Sequence, residues 1–118
     1  MFISTMKNAN LALSFFIELA SLASFGYFGF VIGPNTFLKW ILGIGLPVLG
    51  IVVWAFLGAP NSATRLQGLW LLLLEIVFFG LGALALYISN QHILGIVFAL
   101  IIVINLVLVY VWSQQLVN

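Results

Sequence analysis

The sequence predicts an all-α membrane protein whose four transmembrane helices form an up-down-up-down bundle. Two observations carry this prediction. First, 65% of the 118 residues are hydrophobic and only 4% are charged, whereas about a quarter of the residues of a soluble domain are charged. Second, the apolar residues form four blocks, each long enough to cross a hydrocarbon core of about 30 Å, which takes about 20 helical residues. We therefore expect a single integral membrane domain over residues 1–118.

The four apolar blocks predict helices at about 9–32, 37–57, 66–88 and 92–113. The breaks between them read GPN, GAPNS and SNQH, which are typical of turns. Helices are favoured over strands because each segment must satisfy its own backbone polar groups within lipid. The first block is longer than a signal-peptide core and carries Glu18 in its middle, so it predicts a spanning helix. Short connections predict antiparallel neighbours, with both termini on one side.

The few basic residues indicate how the bundle is oriented. Lys7 and Arg65 flank the side that holds the termini, and Lys39 flanks the other. By the positive-inside tendency, both termini are expected in the cytoplasm. Four tryptophans are expected near helix ends as anchors at the boundary between lipid and water, namely Trp40, Trp54, Trp70 and Trp112.

Composition also excludes several classes of function. A net charge of +1 offers no basic surface for DNA or RNA, so no nucleic-acid partner is expected. The chain has no cysteine, and its single histidine, His92, has no second imidazole or thiolate to complete a metal site. No nucleophile, base and orienting residue form a recognisable set. We expect no enzyme activity, no cofactor and no resident metal.

Two acids lie inside the predicted spans. Glu18 follows Lys7 by eleven residues and Glu75 follows Arg65 by ten, so both are about 15 Å from the same surface at helical rise. Neither basic residue is expected to reach the acid on its own helix, so no internal cation is predicted. Burying such a group costs about 2.5 to 3.5 kcal/mol, which makes intramembrane acids candidates for function. The first and third helices are diagonal in a simple bundle, so the carboxyls could meet across its axis.

Further polar groups are expected at this depth. Ser14 and Ser21 share the helical face of Glu18 and are its expected local hydrogen-bond partners, and Asn105 enters from the fourth helix. Pro47 should kink the second helix and free the carbonyl of Gly43 for the same layer. The acids could then be neutral, share one proton or hold a cation between them. Their role could be to hold helices together, to relay a proton or cation, or to bind a polar or cationic ligand.

The two halves of the chain also show a weak internal similarity. An offset of 57 residues (75 minus 18) places Glu18 on Glu75 and aligns the turns at Gly33 and Asn90. This pattern is compatible with two helical-hairpin repeats, which would run parallel about an axis along the membrane normal.

Three segments carry a recognisable pattern: MKNANLALSFFIELASLASFGYFGF, RLQGLWLLLLEIVFFGLGALALY and INLVLVY. Its positions are Glu18, Gly26, Gly29, Arg65, Glu75 and Asn105. In this pattern the chain resembles the YrdB-like family of small bacterial membrane proteins. The resemblance covers nearly the whole chain and implies a four-span protein of the bacterial inner membrane. It implies no activity, because the function of that family is unknown.

Two functions stay open at this stage. One is proton-linked or cation-linked transport or binding at the layer of Glu18, Glu75 and Asn105, with a proton, a cation or a small cationic molecule as ligand. The other is a structural or accessory membrane subunit in which the acids only hold the helices together. Membrane lipid is an expected partner in both, and a homodimer or a complex with another membrane protein is compatible with either.

Overall fold

The computed structural model describes residues 2–59 and 62–114. Four α-helices run in chain order: α1 (Phe2–Ile32), α2 (Thr36–Leu57), α3 (Gly68–Ile88) and α4 (His92–Val111). All four are long and apolar enough to cross a membrane. The predicted all-α, four-helix class is confirmed, and the chain is a multi-pass membrane protein. The turn at GAPNS includes Pro60 and Asn61, which lie outside the described residues.

The first helix begins earlier than the sequence predicts. It starts at Phe2, seven residues before the expected start at 9, and has 31 residues. The polar residues of this opening segment, such as Lys7 and Asn8, hid its helical character because they interrupt the apolar block. Asn10 bonds to Asn105 of α4 and to Gln114 just beyond its end, so the first turns of α1 lie alongside the last turns of α4.

Local sequence explains how the helices begin and end. Asn35 accepts a hydrogen bond from the backbone N–H of Leu38 (2.9 Å) and so caps α2. Lys39 donates to the carbonyl of Phe30 in the last turn of α1 (2.8 Å), where carbonyls lack helical partners. Asn90 turns the chain between α3 and α4 with a φ of 69°, a conformation that asparagine tolerates better than most residues.

The helices do not form a square bundle. α1 packs against α2, α3 and α4, while α2 makes few contacts with α3 or α4. The first and third helices were expected to be diagonal, yet they touch directly, because Gly82 lets the backbone of α3 approach Ser21 of α1. A core of seven buried residues fills the middle of the bundle, namely Ile17, Phe78, Phe79, Ala83, Phe98, Ile102 and Leu106.

The contact between α1 and α2 is closer still. An added Cβ at Gly29 would lie 2.3 Å from the carbonyl oxygen of Leu42, and one at Gly26 would lie 3.0 Å from that of Gly43. The carbonyl of Gly43, which Pro47 deprives of its usual helical partner, therefore lies against Gly26. It does not join the acids, as the sequence had suggested, since Gly26 is about 12 Å along α1 from Glu18.

Candidate functional site

A polar cavity of about 350 Å³ lies at one end of the bundle, beside the loop between α2 and α3 and the residues that follow α4. All four helices and that loop contribute to its wall. Both intramembrane acids line it, as do the other polar residues Ser14, Trp54, Arg65, Asn105 and Gln114. The carboxyls of α1 and α3 thus face one shared space.

Glu18 is held by a tryptophan of the neighbouring helix. The indole Nε1–H of Trp54 donates to Oε1 of Glu18. The Trp54 ring packs on Phe78 and Phe79, with ring centroids 5.1 and 5.2 Å apart. Trp54 was expected to be an interfacial anchor, but its ring contacts the core and its N–H points into the cavity. The sequence interpretation missed this because a position near a helix end does not tell which face the ring occupies.

Glu75 is held by a tyrosine that the sequence interpretation did not single out. Glu75 is only 7% exposed. The Tyr110 hydroxyl donates a hydrogen bond to Oε1 of Glu75 at 2.6 Å. A carboxyl buried this deeply in a membrane span needs such a donor, because an unpaired oxygen there would cost several kcal/mol.

The two acids and their donors repeat along the chain. Trp54 follows Glu18 by 36 residues and Tyr110 follows Glu75 by 35. Each hairpin therefore carries an acid in its first helix and an aromatic donor in its second. The offset that relates Glu18 to Glu75 places Trp54 one residue from Tyr110. From the sequence, this near match could have indicated Tyr110 as the partner of Glu75. The origin of the chain from two related hairpins stays a prediction.

Arg65 corrects the expectation that no cation accompanies the acids. It lines the same cavity, and its Nε donates to the carbonyl of Gly58 at 3.0 Å. The expectation failed because it placed Arg65 on the helix of Glu75. In fact α3 begins at Gly68, so Arg65 belongs to the loop, and helical rise does not limit where its side chain reaches.

A network of amide and hydroxyl hydrogen bonds joins α1 to α4 beside the cavity. Asn105 Nδ2 donates to the carbonyl and Oδ1 of Asn10 (3.1 and 3.0 Å) and lies 2.9 Å from Ser14 Oγ. Asn10 Nδ2 donates to Gln114 Oε1 (2.7 Å), and Gln114 Nε2 donates to the carbonyl of Lys7 (2.8 Å). Asn10 and Gln114 were not predicted, because both fall at the polar margins of their apolar blocks.

The two serines expected beside Glu18 have other surroundings. Ser14 bonds to Asn105 and to the carbonyl of Asn10. Ser21 is fully buried against Gly82, and its Oγ has no partner among the described residues. Sharing a helical face with Glu18 was not enough to bring either hydroxyl to the carboxyl. Ser14 bonds to Asn105 of α4 instead, and Ser21 packs against Gly82 of α3.

The remaining tryptophans differ from Trp54. Trp40 and Trp70 are 58% and 70% exposed near the starts of their helices. Trp112 follows the end of α4, and the ammonium of Lys7 lies 5.9 Å from the centroid of its ring.

His92 packs against the Tyr87 ring at the far end of the bundle, away from the cavity. Within residues 2–59 and 62–114, no three histidine or acidic side chains are grouped as metal ligands.

Comparisons with known proteins give the family of this chain. Residues 12–103 match the model of a family described as a protein of unknown function, DUF2568. The chain is 28% identical over 110 residues to the uncharacterized protein YrdB of Bacillus subtilis (strain 168). The aligned region covers 87% of this chain and 89% of that protein. No solved structure matches. The resemblance read from the sequence is confirmed, and the chain belongs to the DUF2568 family.

Proposed function

We propose that this protein is a nonenzymatic membrane protein that binds a cation in the polar cavity and exchanges it for protons carried by Glu18 and Glu75. One observation carries the proposal. Two carboxyls from different helices line a single cavity at the end of the bundle where Arg65 and Gln114 also lie. Two acids in one intramembrane site can each bind a proton or help to bind a cation, and coupled exchange requires such groups.

The charges of the cavity support this role. Two ionised carboxylates and one guanidinium would leave the cavity with one uncompensated negative charge. Removing that charge requires either a proton or a bound cation, because an unbalanced charge in a membrane interior is costly. A cation and a proton therefore compete for the same position, which is the basis of exchange.

We also propose that the protein lies in a bacterial inner membrane with both termini in the cytoplasm. Lys7 and Arg65 lie at the cavity end of the bundle, and cytoplasmic loops carry an excess of basic residues. The cavity would then face the cytoplasm.

Flux measurements in vesicles test the exchange. The protein is reconstituted in phosphatidylcholine and phosphatidylglycerol vesicles that contain a pH-sensitive dye, and sodium, potassium or tetramethylammonium is added outside. We expect a cation-dependent proton flux that Glu18→Gln or Glu75→Gln abolishes, since an amide cannot release a proton. His92→Gln, outside the cavity, should retain the flux. Wild-type flux that persists in both amide variants would contradict the proposal.

A structural role is the second candidate, and the hydrogen bonds of the acids favour it. Trp54 ties α2 to Glu18 of α1, and Tyr110 ties α4 to Glu75 of α3. If this is the whole role, no wild-type flux is expected and the amide variants should unfold like wild type. Glu75→Leu should then lower the free energy of unfolding by about 1 to 2 kcal/mol, the scale of hydrogen bonds between membrane helices.

A further inference from the structure

The wall of the polar cavity carries an aromatic ring one helical turn from each acid. Phe15 precedes Glu18 by three residues on α1, and Phe79 follows Glu75 by four on α3. At these spacings a ring and a carboxyl share one face of their helix, and all four residues line the cavity. The contributions of α1 and α3 to the wall thus each combine a carboxyl with a phenyl ring.

In the part of the chain that the structure describes, few oxygen atoms of this wall remain for a metal ion. The side-chain oxygens of Ser14, Asn105 and Gln114 already take part in hydrogen bonds between α1 and the α4 end. Trp54 and Tyr110 bond to Oε1 of the two acids, which leaves Oε2 of each for a ligand. Calcium and magnesium ions take about six or more oxygen ligands. Such an ion would have to keep most of its water in this cavity.

The charge and size of the cavity favour an organic cation. Two carboxylates and the Arg65 guanidinium leave one negative charge, which a single positive charge balances. The volume of about 350 Å³ lies in the range of small-molecule sites, about 300 to 1,000 Å³, and a bare metal ion would fill little of it. A large ion is also easier to transfer out of water, because the Born cost of desolvation falls as the ionic radius grows.

We propose that the cation bound in this cavity is a monovalent organic ammonium ion that carries hydrocarbon groups on its nitrogen. Glu18 and Glu75 balance its charge, and the rings of Phe15 and Phe79 contact its hydrocarbon groups. An ammonium beside aromatic rings gains cation–π attraction, which is the usual means of recognising quaternary ammonium ligands. This inference rests on the proposed function, since it uses the same two acids, and it adds the chemical class of the exchanged ion.

Equilibrium dialysis of the wild-type protein gives the first test. The protein, purified in an uncharged detergent, is dialysed against radiolabelled tetraethylammonium, with unlabelled tetraethylammonium, tetramethylammonium, sodium or potassium as competitor. Tetraethylammonium has four more methylene groups than tetramethylammonium, and burial of each strengthens binding about fourfold. We expect it to bind about tenfold more tightly than tetramethylammonium, which corresponds to burial of about two methylenes.

Sodium and potassium have no hydrocarbon groups and should compete no better than tetramethylammonium. Competition by any of these three ions at the same concentration as unlabelled tetraethylammonium would overturn the proposal. Absence of tetraethylammonium binding to the wild-type protein would overturn it as well.

Two neighbouring phenylalanines test the ring contact. Phe15 and Phe16 are 58% and 64% exposed on α1, and of the two, Phe15 lines the cavity. Phe15→Leu should weaken tetraethylammonium binding about two- to fivefold, the scale of a cation–π contact at an exposed site. Phe16→Leu is the matched control and should bind like the wild-type protein. Equal affinities of the two variants would overturn the assignment of Phe15 to the site.

The binding test and the flux test fail separately. Flux that depends on both acids, but that sodium or potassium drives as fast as tetraethylammonium, would overturn the organic class and leave cation exchange standing. Glu18→Gln and Glu75→Gln should each weaken tetraethylammonium binding about tenfold, because each removes a negative charge. That loss of binding, without any flux in the wild-type protein, would support the organic cation site and overturn exchange.

Discussion

Tyr110 bonds directly to one of the two intramembrane acids. Its hydroxyl donates to Glu75 at 2.6 Å, and Glu75 is only 7% exposed. The phenol therefore satisfies a carboxyl oxygen that has little access to water.

Tyr110→Phe should lower the free energy of unfolding by about 1 kcal/mol, the typical size of a hydrogen bond between membrane helices. The cause is the loss of the donor to Glu75, since the ring itself is kept. Unfolding in mixed detergent micelles at increasing dodecyl sulfate, followed by circular dichroism, measures the change.

Tyr87→Phe is the matched control for this substitution. Tyr87 is 47% exposed and stacks on His92 through its ring, which phenylalanine retains. We expect no measurable change for this variant. Equal loss of stability in both variants would show that the hydroxyl of Tyr110 has no special contribution.

Residue-level chemistry was predicted from the sequence only in part. Counting helical rise placed Glu18 and Glu75 at one depth, and both do line one cavity. The partners of the acids were not predicted, because Trp54 and Tyr110 reach them from other helices. Rise along a helix gives depth, but the rotation of one helix against another decides which side chains meet.

At the scale of elements, glycines determine how closely helices approach. An added Cβ at Gly29 of α1 would lie 2.3 Å from the Leu42 carbonyl oxygen of α2, whereas one at Gly45 of α2 would meet nothing within 4 Å. Both glycines lie inside helices of the same packed pair. They differ only in what faces them.

Gly29→Ala should destabilise the bundle by about 1 to 3 kcal/mol, because backbone atoms of α1 and α2 would have to move apart. Gly45→Ala should be neutral or stabilising by up to about 1 kcal/mol, since alanine favours a helix more than glycine does. The same dodecyl sulfate titration compares them. Equal effects of the two substitutions would contradict the close contact at Gly29.

The positions of the helices were largely evident from the apolar blocks, but their packing was not. The expected simple bundle put α1 opposite α3, whereas Gly82 allows these helices to touch at Ser21. Glycines are frequent in this chain, with 11 in 118 residues. Composition cannot show which of them faces a neighbouring backbone and which faces lipid, and this choice decides the arrangement.

For the whole molecule, the directions of the helices place Phe2 and Gln114, the first and last described residues, at the cavity end. The loop at Pro34 lies at the opposite end, between α1 and α2. The long axis of the molecule measures 51 Å, which exceeds a hydrocarbon core of about 30 Å. The two ends therefore reach opposite aqueous sides.

Single cysteines test the orientation, because the natural chain has none. With the termini in the cytoplasm, Pro34→Cys should react with a membrane-impermeant maleimide on intact spheroplasts. Ser4→Cys should react only after permeabilisation. The cysteine-free parent chain controls for other reactive groups, and the reverse labelling pattern would place the cavity on the outer side.

The hydrogen bond between Trp54 and Glu18 has a consequence for the aromatic part of the cavity wall. The same indole that bonds Glu18 also stacks on Phe78. A hydrogen bond to an ionised acceptor is about twice as strong as one to a neutral acceptor, so loss of a proton from Glu18 would tighten the hold on this ring. A cation that occupies the carboxylate in place of the indole would release it. The strength with which this ring is held thus depends on the charge of Glu18.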